Sequence, residues 1–109
     1  MDRTTVLTDL IEVRTPIEDS IARLRQFPFD SDEELVTLDI HKLLKVLDLY
    51  FNGNLSADEL EEWANAVEGR DDIEFSSQTT IDAVAELANP VLFNQLTPEN
   101  VEKLADRLR

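Results

Sequence analysis

The chain has 109 residues and a formal net charge of -14, with 24 Asp and Glu against ten Lys and Arg. This length predicts a single domain over residues 1–109, large enough to bury a hydrophobic core. The sequence contains no cysteine, which excludes disulfide frameworks, Cys-ligated zinc, iron–sulfur clusters and thiol nucleophiles. The charge argues against binding to nucleic acid or to anionic membranes, because their phosphates would be repelled, and it favours a basic protein partner.

The sequence also bears on cellular location. No stretch approaches the roughly 18 consecutive apolar residues of a membrane span. The N-terminus lacks a basic region followed by an apolar core and a cleavage site, so it shows no secretory signal. We therefore expect a cytoplasmic protein without membrane contact.

Apolar residues recur mostly at spacings of three and four, and only two glycines and four prolines interrupt the chain. This pattern predicts an all-α fold, a compact bundle of four to five helices. The apolar face of residues 4–13 indicates a helix, although their Val and Thr content leaves a short strand open. A second helix is predicted from Thr15, because Thr15-Pro16-Ile17-Glu18 has the order of a capping box with proline at the first helical position.

The central, most buried helix is predicted over about residues 32–51. The acidic run of residues 30–34 suits the positive end of a helix dipole. Apolar residues then surround most of the helix, as expected for a buried element. Asn52-Gly53-Asn54 would end it.

Three helices are predicted after this break. Ser56-Ala57-Asp58-Glu59 is a second capping box, and the helix that follows would place Trp63 in the core and end at Gly69. A polar stretch over residues 70–78 leads to a helix containing residues 81–88. The last helix would begin at Thr97 and continue to the C-terminus.

The acidic residues are concentrated in one part of the chain. Residues 30–74 carry fourteen acids and three bases, which accounts for -11 of the net charge. One explanation is a solvated helix face, and another is a patch that steers a basic partner. Because dispersed acids would serve solubility equally well, the concentration favours a partner. The predicted partner contacts are the acids that helix capping leaves unexplained, together with one aromatic residue: Glu61, Glu62, Glu68, Asp71, Asp72, Glu74 and Phe75.

Other kinds of site are less well supported by the sequence. A calcium loop could be counted from Asp48 to Glu59, but Tyr50 occupies a ligand position and the capping box already uses Ser56 and Glu59. His41 is the only imidazole, and the chain has no glycine-rich phosphate loop, metal-binding His pair or nucleophile elbow. We therefore expect no catalytic residue, no metal and no cofactor. Phe27 and Phe29, beside a turn, are further candidates for partner anchors.

The segment Gly53-Asn54-Leu55-Ser56-Ala57-Asp58-Glu59-Leu60-Glu61-Glu62-Trp63-Ala64, with Glu68-Gly69-Arg70-Asp71-Asp72-Ile73 and Leu87-Ala88-Asn89-Pro90, resembles a group of small acidic bacterial helical proteins. In size, acidity and helical make-up the chain is also similar to the immunity proteins that bacteria make against colicin-type and contact-dependent toxins. This resemblance implies a non-enzymatic inhibitor that presents acids to a basic toxin or nuclease. The alternative is a structural or regulatory helical module that self-associates, for which a homodimer is left open.

Overall fold

The computed structural model describes residues 2–28 and 31–109, and the chain in these ranges is mostly helical. The helices are α1 (Arg3–Ile11), α2 (Ile17–Leu24), α3 (Ile40–Phe51), α4 (Ala57–Val67), α5 (Gln78–Ala88) and α6 (Pro98–Leu108), and the strands are β1 (Val36–Leu38) and β2 (Ile73–Phe75). The prediction of a compact helical fold is confirmed. The predictions of a strictly all-α protein and of four to five helices are wrong. Within the described ranges, no helix is long and apolar enough to cross a membrane.

The predicted central helix over residues 32–51 is divided into a strand and a shorter helix. The Asp39 carboxylate accepts a hydrogen bond from the Lys42 amide at 2.8 Å, so α3 begins at Ile40 rather than in the acidic run. Before this cap, Val36 and Thr37 are β-branched residues that suit an extended backbone. They pair in parallel with β2, in the register Val36↔Ile73 and Leu38↔Phe75.

The parallel pairing requires a crossover connection, which α3 and α4 supply. The polar stretch over residues 70–78 therefore contains a strand. The amides of Leu35 and Val36 both donate to the main-chain carbonyl of Asp72, at 2.9 and 3.4 Å. This connection places residues 34–38 beside residues 71–75.

The core is built from one face of each helix together with Leu38, Leu55 and Ile73. Trp63 is completely buried, as predicted, and its indole Nε1 donates to the main-chain carbonyl of Leu10 at 2.9 Å. This bond joins α4 to α1. The N-terminal segment is thus a helix whose apolar face is buried, and not a strand.

Two of the predicted helix starts are confirmed in atomic detail. The Ser56 hydroxyl accepts from the Glu59 amide and the Glu59 side chain accepts from the Ser56 amide, which completes a capping box. Thr97 caps α6, with Pro98 at its first position. The capping box predicted at Thr15 does not form, since the Thr15 hydroxyl lies 2.7 Å from the buried Ser20 hydroxyl and makes no capping bond.

Candidate interaction surface

Asp72 is a predicted partner contact that the structure places inside the fold. Its side chain is fully buried, with Arg3 Nε 2.8 Å from Oδ2 and Arg70 Nε 2.9 Å from Oδ1. Burial by itself would raise the pKa of this carboxyl group. The hydrogen bonds and charges of Arg70 and Arg3 together outweigh burial and hold the pKa of Asp72 below its ordinary value. Asp72 therefore stabilises the fold and is not accessible to a partner.

The other acids of residues 31–74 form no ion pair within the described part of the chain. Of the acids in residues 31–74, only Asp72 forms an ion pair with another described residue. The remaining pairs join Arg14 to Glu12, Arg107 of α6 to Glu86, and the C-terminal Arg109 to Asp106. Apart from Asp72, the acids of residues 31–74 are therefore not neutralised by ion pairs with other described residues.

Pairing of the two strands gathers part of the predicted site around a shallow cleft of about 430 Å³. We call this feature the strand-end cleft, and its lining consists of Glu34, Arg70, Asp71, Ile73, Glu74, Phe75 and Ile81. The three carboxylates are exposed, while Phe75 is half-buried against the core and Ile81 is 42% exposed. The Thr37 hydroxyl donates to Glu74 Oε1 at 3.0 Å and so orients one carboxylate. The cleft thus brings three exposed carboxylates together with Arg70 and three apolar side chains.

The other predicted contacts lie outside this cleft. Glu62 is exposed on α4, and Glu68, which follows α4, accepts a hydrogen bond from the Asn89 side chain at 3.3 Å. Glu61 lines a separate groove together with Asp58. Among the two further aromatic candidates, Phe27 is half-buried against the core and Phe29 lies outside the described residues. Apart from the buried Asp72, the predicted set is thus divided between the strand-end cleft and the surface of α4 with its C-terminal end.

Sequence reasoning missed two parts of the accessible surface. Glu34 was explained as a helix-capping acid, and only the pairing of β1 with β2 brings it beside Asp71. The loop between α5 and α6 exposes three consecutive apolar residues, Val91, Leu92 and Phe93. An apolar triplet in a segment without helical periodicity, between Pro90 and Pro98, was the available signal for this loop.

The structure also places the residues of the alternative sites. Asp48 and Tyr50 belong to α3, and Ser56 and Glu59 bond to each other in the capping box. His41 is exposed near the start of α3. No group of three or more His, Asp or Glu side chains that could hold a metal ion occurs in the described ranges.

Comparison with known proteins identifies no relative of the chain. No protein-family model, curated protein or solved structure matches it. Function must therefore be inferred from the residues and their placement.

Proposed function

We propose that the chain is a non-enzymatic binding protein for a basic protein partner. Its most concrete form is a cytoplasmic, immunity-type inhibitor that binds a basic bacterial toxin or nuclease. The main support is the strand-end cleft, where exposed Glu34, Asp71 and Glu74 line the same cleft as Phe75 and Ile81 and make no ion pair with another described residue.

The two components of this cleft act over different ranges. Uncompensated carboxylates attract a basic partner at long range and raise its association rate, with an effect that salt screens over about 8 Å at physiological ionic strength. Apolar side chains act on contact, because removing them from water is favourable. Solubility alone would require the acids but not the partly exposed Ile81 among them. The combination therefore favours recognition over simple solvation.

A self-associating helical module is the second candidate, and one observation favours it. Val91 and Leu92 are 98% and 77% exposed, and a second copy of the chain could bury them. Light scattering over a range of protein concentrations tests this alternative. A tight dimer that needs no basic partner would support it.

The main proposal can be tested by capture from an extract of the cells that encode the chain. The bait is the full chain, and the patch variant carries Glu34→Lys, Asp71→Lys and Glu74→Lys. A control variant carries Asp48→Lys and Glu102→Lys at exposed acids of α3 and α6 that make no ion pair with another described residue. We expect a basic protein to be retained at low salt, released by added salt, retained by the control and lost by the patch variant.

The inhibitor form requires one more observation. The captured protein should be toxic or nucleolytic on its own and inactive when mixed with the chain. Capture that survives high salt undiminished, or that is equal for the patch and control variants, would contradict the proposal. Capture of a basic protein without toxic activity would support the binding role and contradict the inhibitor role.

A further inference from the structure

The loop between α5 and α6 presents the most concentrated apolar surface of the described chain. Val91, Leu92 and Phe93 are 98%, 77% and 50% exposed, whereas the other exposed large apolar residues, Phe51 and Ile81, are isolated in sequence. Scattered apolar residues are normal at protein surfaces, whereas large contiguous apolar patches mark interaction sites, and three exposed apolar residues in succession make this loop a candidate for one. This loop therefore calls for a separate explanation from the strand-end cleft.

Hydrogen bonds hold the loop at both ends. The carbonyl of Asn89 accepts from the amides of Leu92 and Phe93, at 3.0 and 3.2 Å. Beyond the triplet, the Asn100 side chain donates to the carbonyl of Gln95 at 2.9 Å, and Leu96 packs against the core. The apolar side chains are thus displayed by a loop whose two ends are held by hydrogen bonds, and such restraint reduces the entropy lost on binding.

A groove of about 520 Å³ beside this loop carries negative charge. Its apolar lining includes Pro90, Val91 and Leu96, and its acidic residues are Asp58 and Glu61 of α4. Lys and Arg side chains pack their aliphatic stems on apolar surface while their charged ends reach outward. A Lys or Arg lying over Val91 would therefore place its cation near these carboxylates.

We propose that this loop and groove form a docking surface for a cationic amphipathic segment of a partner protein. Apolar side chains of the segment cover Val91 and Leu92, and its Lys or Arg side chains reach Asp58 and Glu61. The proposal relies on the proposed function for the basic character of the partner, but assigns it a second surface. A second copy of the chain is the less favourable occupant, because two chains of charge -14 repel each other.

Two labelled peptides test this assignment with the full chain. The first is a helix of about 18 residues, or five turns, with Leu on one face and Lys on the other. The second keeps every Lys and replaces each Leu with Ser. Fluorescence anisotropy should show that the Leu/Lys peptide binds about tenfold or more tightly than the Lys/Ser peptide, since only the former buries apolar surface.

Matched variants locate the binding. The double variant Val91→Ser and Leu92→Ser should remove most of the preference for the Leu/Lys peptide, whereas Phe51→Ser, at an exposed apolar residue elsewhere, should keep it. Neutralising the groove with Asp58→Asn and Glu61→Gln should weaken binding and reduce its salt dependence. Asp48→Asn with Glu102→Gln should have a smaller effect. Circular dichroism checks that each variant is folded.

The outcomes separate this proposal from the proposed function. If the two peptides bind equally and only the acid variants lose affinity, the loop is not a binding anchor. That result would contradict this proposal but not the proposed binding of a basic partner. Equal losses in the loop variant and in Phe51→Ser would also overturn it. If the chain self-associates, the loop variant abolishes this association and the peptide does not displace it, then the loop binds a second copy of the chain. The capture experiment decides the proposed function independently.

Discussion

Asp72 and Arg3 are 69 residues apart in the chain, yet Arg3 Nε donates to Asp72 Oδ2 at 2.8 Å inside the fold. Arg70 donates to both oxygens of the same carboxylate, at 2.9 and 3.0 Å. A buried charge is tolerated only when such partners replace the water it has lost. The first turn of α1 is thereby joined to the residues that lead into β2.

Replacing Asp72 with Asn should strongly destabilise the protein. The substitution removes the negative charge that two largely buried guanidinium groups share, and breaking a buried ion pair in this way costs about 3–5 kcal/mol. Urea unfolding followed by circular dichroism measures the loss. The matched control is Asp71→Asn at the adjacent exposed acid, which should change the free energy of unfolding by less than about 0.5 kcal/mol. Similar effects of the two substitutions would contradict the assignment of Asp72 to the fold.

The contribution of Asp72 should also depend on pH. Its pKa is lower in the folded chain than in the unfolded chain, so the unfolded chain binds the proton more readily. The stabilisation is fully present above the unfolded pKa of about 4 and is lost as pH falls through the lower folded value. Urea unfolding at several pH values measures the free energy of unfolding of wild type and of Asp72→Asn. The difference between the two free energies should be constant above about pH 5 and smaller in acid. A difference that grows on acidification would contradict this sign.

Moderate salt should stabilise the folded chain, because it screens the repulsion between the exposed acids. Raising the ionic strength from about 0.01 M to about 0.15 M shortens the screening length from about 30 Å to about 8 Å and weakens repulsion between exposed carboxylates. The buried Asp72 pairs are screened less. The unfolding temperature should therefore rise with sodium chloride. A neutralised variant with Glu61→Gln, Glu62→Gln and Asp71→Asn should show a smaller rise, and an equal rise would mean that these acids do not repel one another appreciably.

Trp63→Phe tests the junction between α1 and α4. The substitution removes the hydrogen bond to the Leu10 carbonyl and leaves part of a tightly packed site empty, so the free energy of unfolding should fall by about 1–3 kcal/mol. Chemical unfolding measured by far-ultraviolet circular dichroism avoids reliance on the lost indole fluorescence. Phe51→Leu, at a partly exposed aromatic residue, is the control and should cost less. A negligible effect at Trp63 would argue against this packing.

Local sequence signals predicted the features that depend on neighbouring residues. The capping box at Ser56 and the Thr97-Pro98 helix start are complete within four residues, and both form as predicted. Thr15 carries the same kind of signal, but its hydroxyl bonds to buried Ser20 instead. A hydroxyl contact five residues along the chain thus takes the place of the predicted capping bond.

Features that depend on distant residues could not be predicted in this way. The spacing of Val36, Ile40 and Leu43 fits a helix, and the strand partner of Thr37 lies 37 residues later at Glu74. Asp71 and Asp72 are neighbouring residues of the same type, and only the fold shows that Arg3 and Arg70 bond to the second of them. The acidic part of the candidate site was therefore found from composition, while its division into accessible and buried residues required the fold.

The short parallel sheet couples binding at the strand-end cleft to the stability of the fold. Glu34 and Glu74 become neighbours only because three residue pairs join β1 to β2. A partner that binds both carboxylates binds only the folded chain, because the unfolded chain does not bring them together. Such a partner would therefore stabilise the pairing of β1 with β2. By mass action, a partner at about one hundred times its dissociation constant adds about 2.7 kcal/mol to the free energy of unfolding. Heat resistance of the chain in a mixture of proteins therefore reports the presence of that partner without any label.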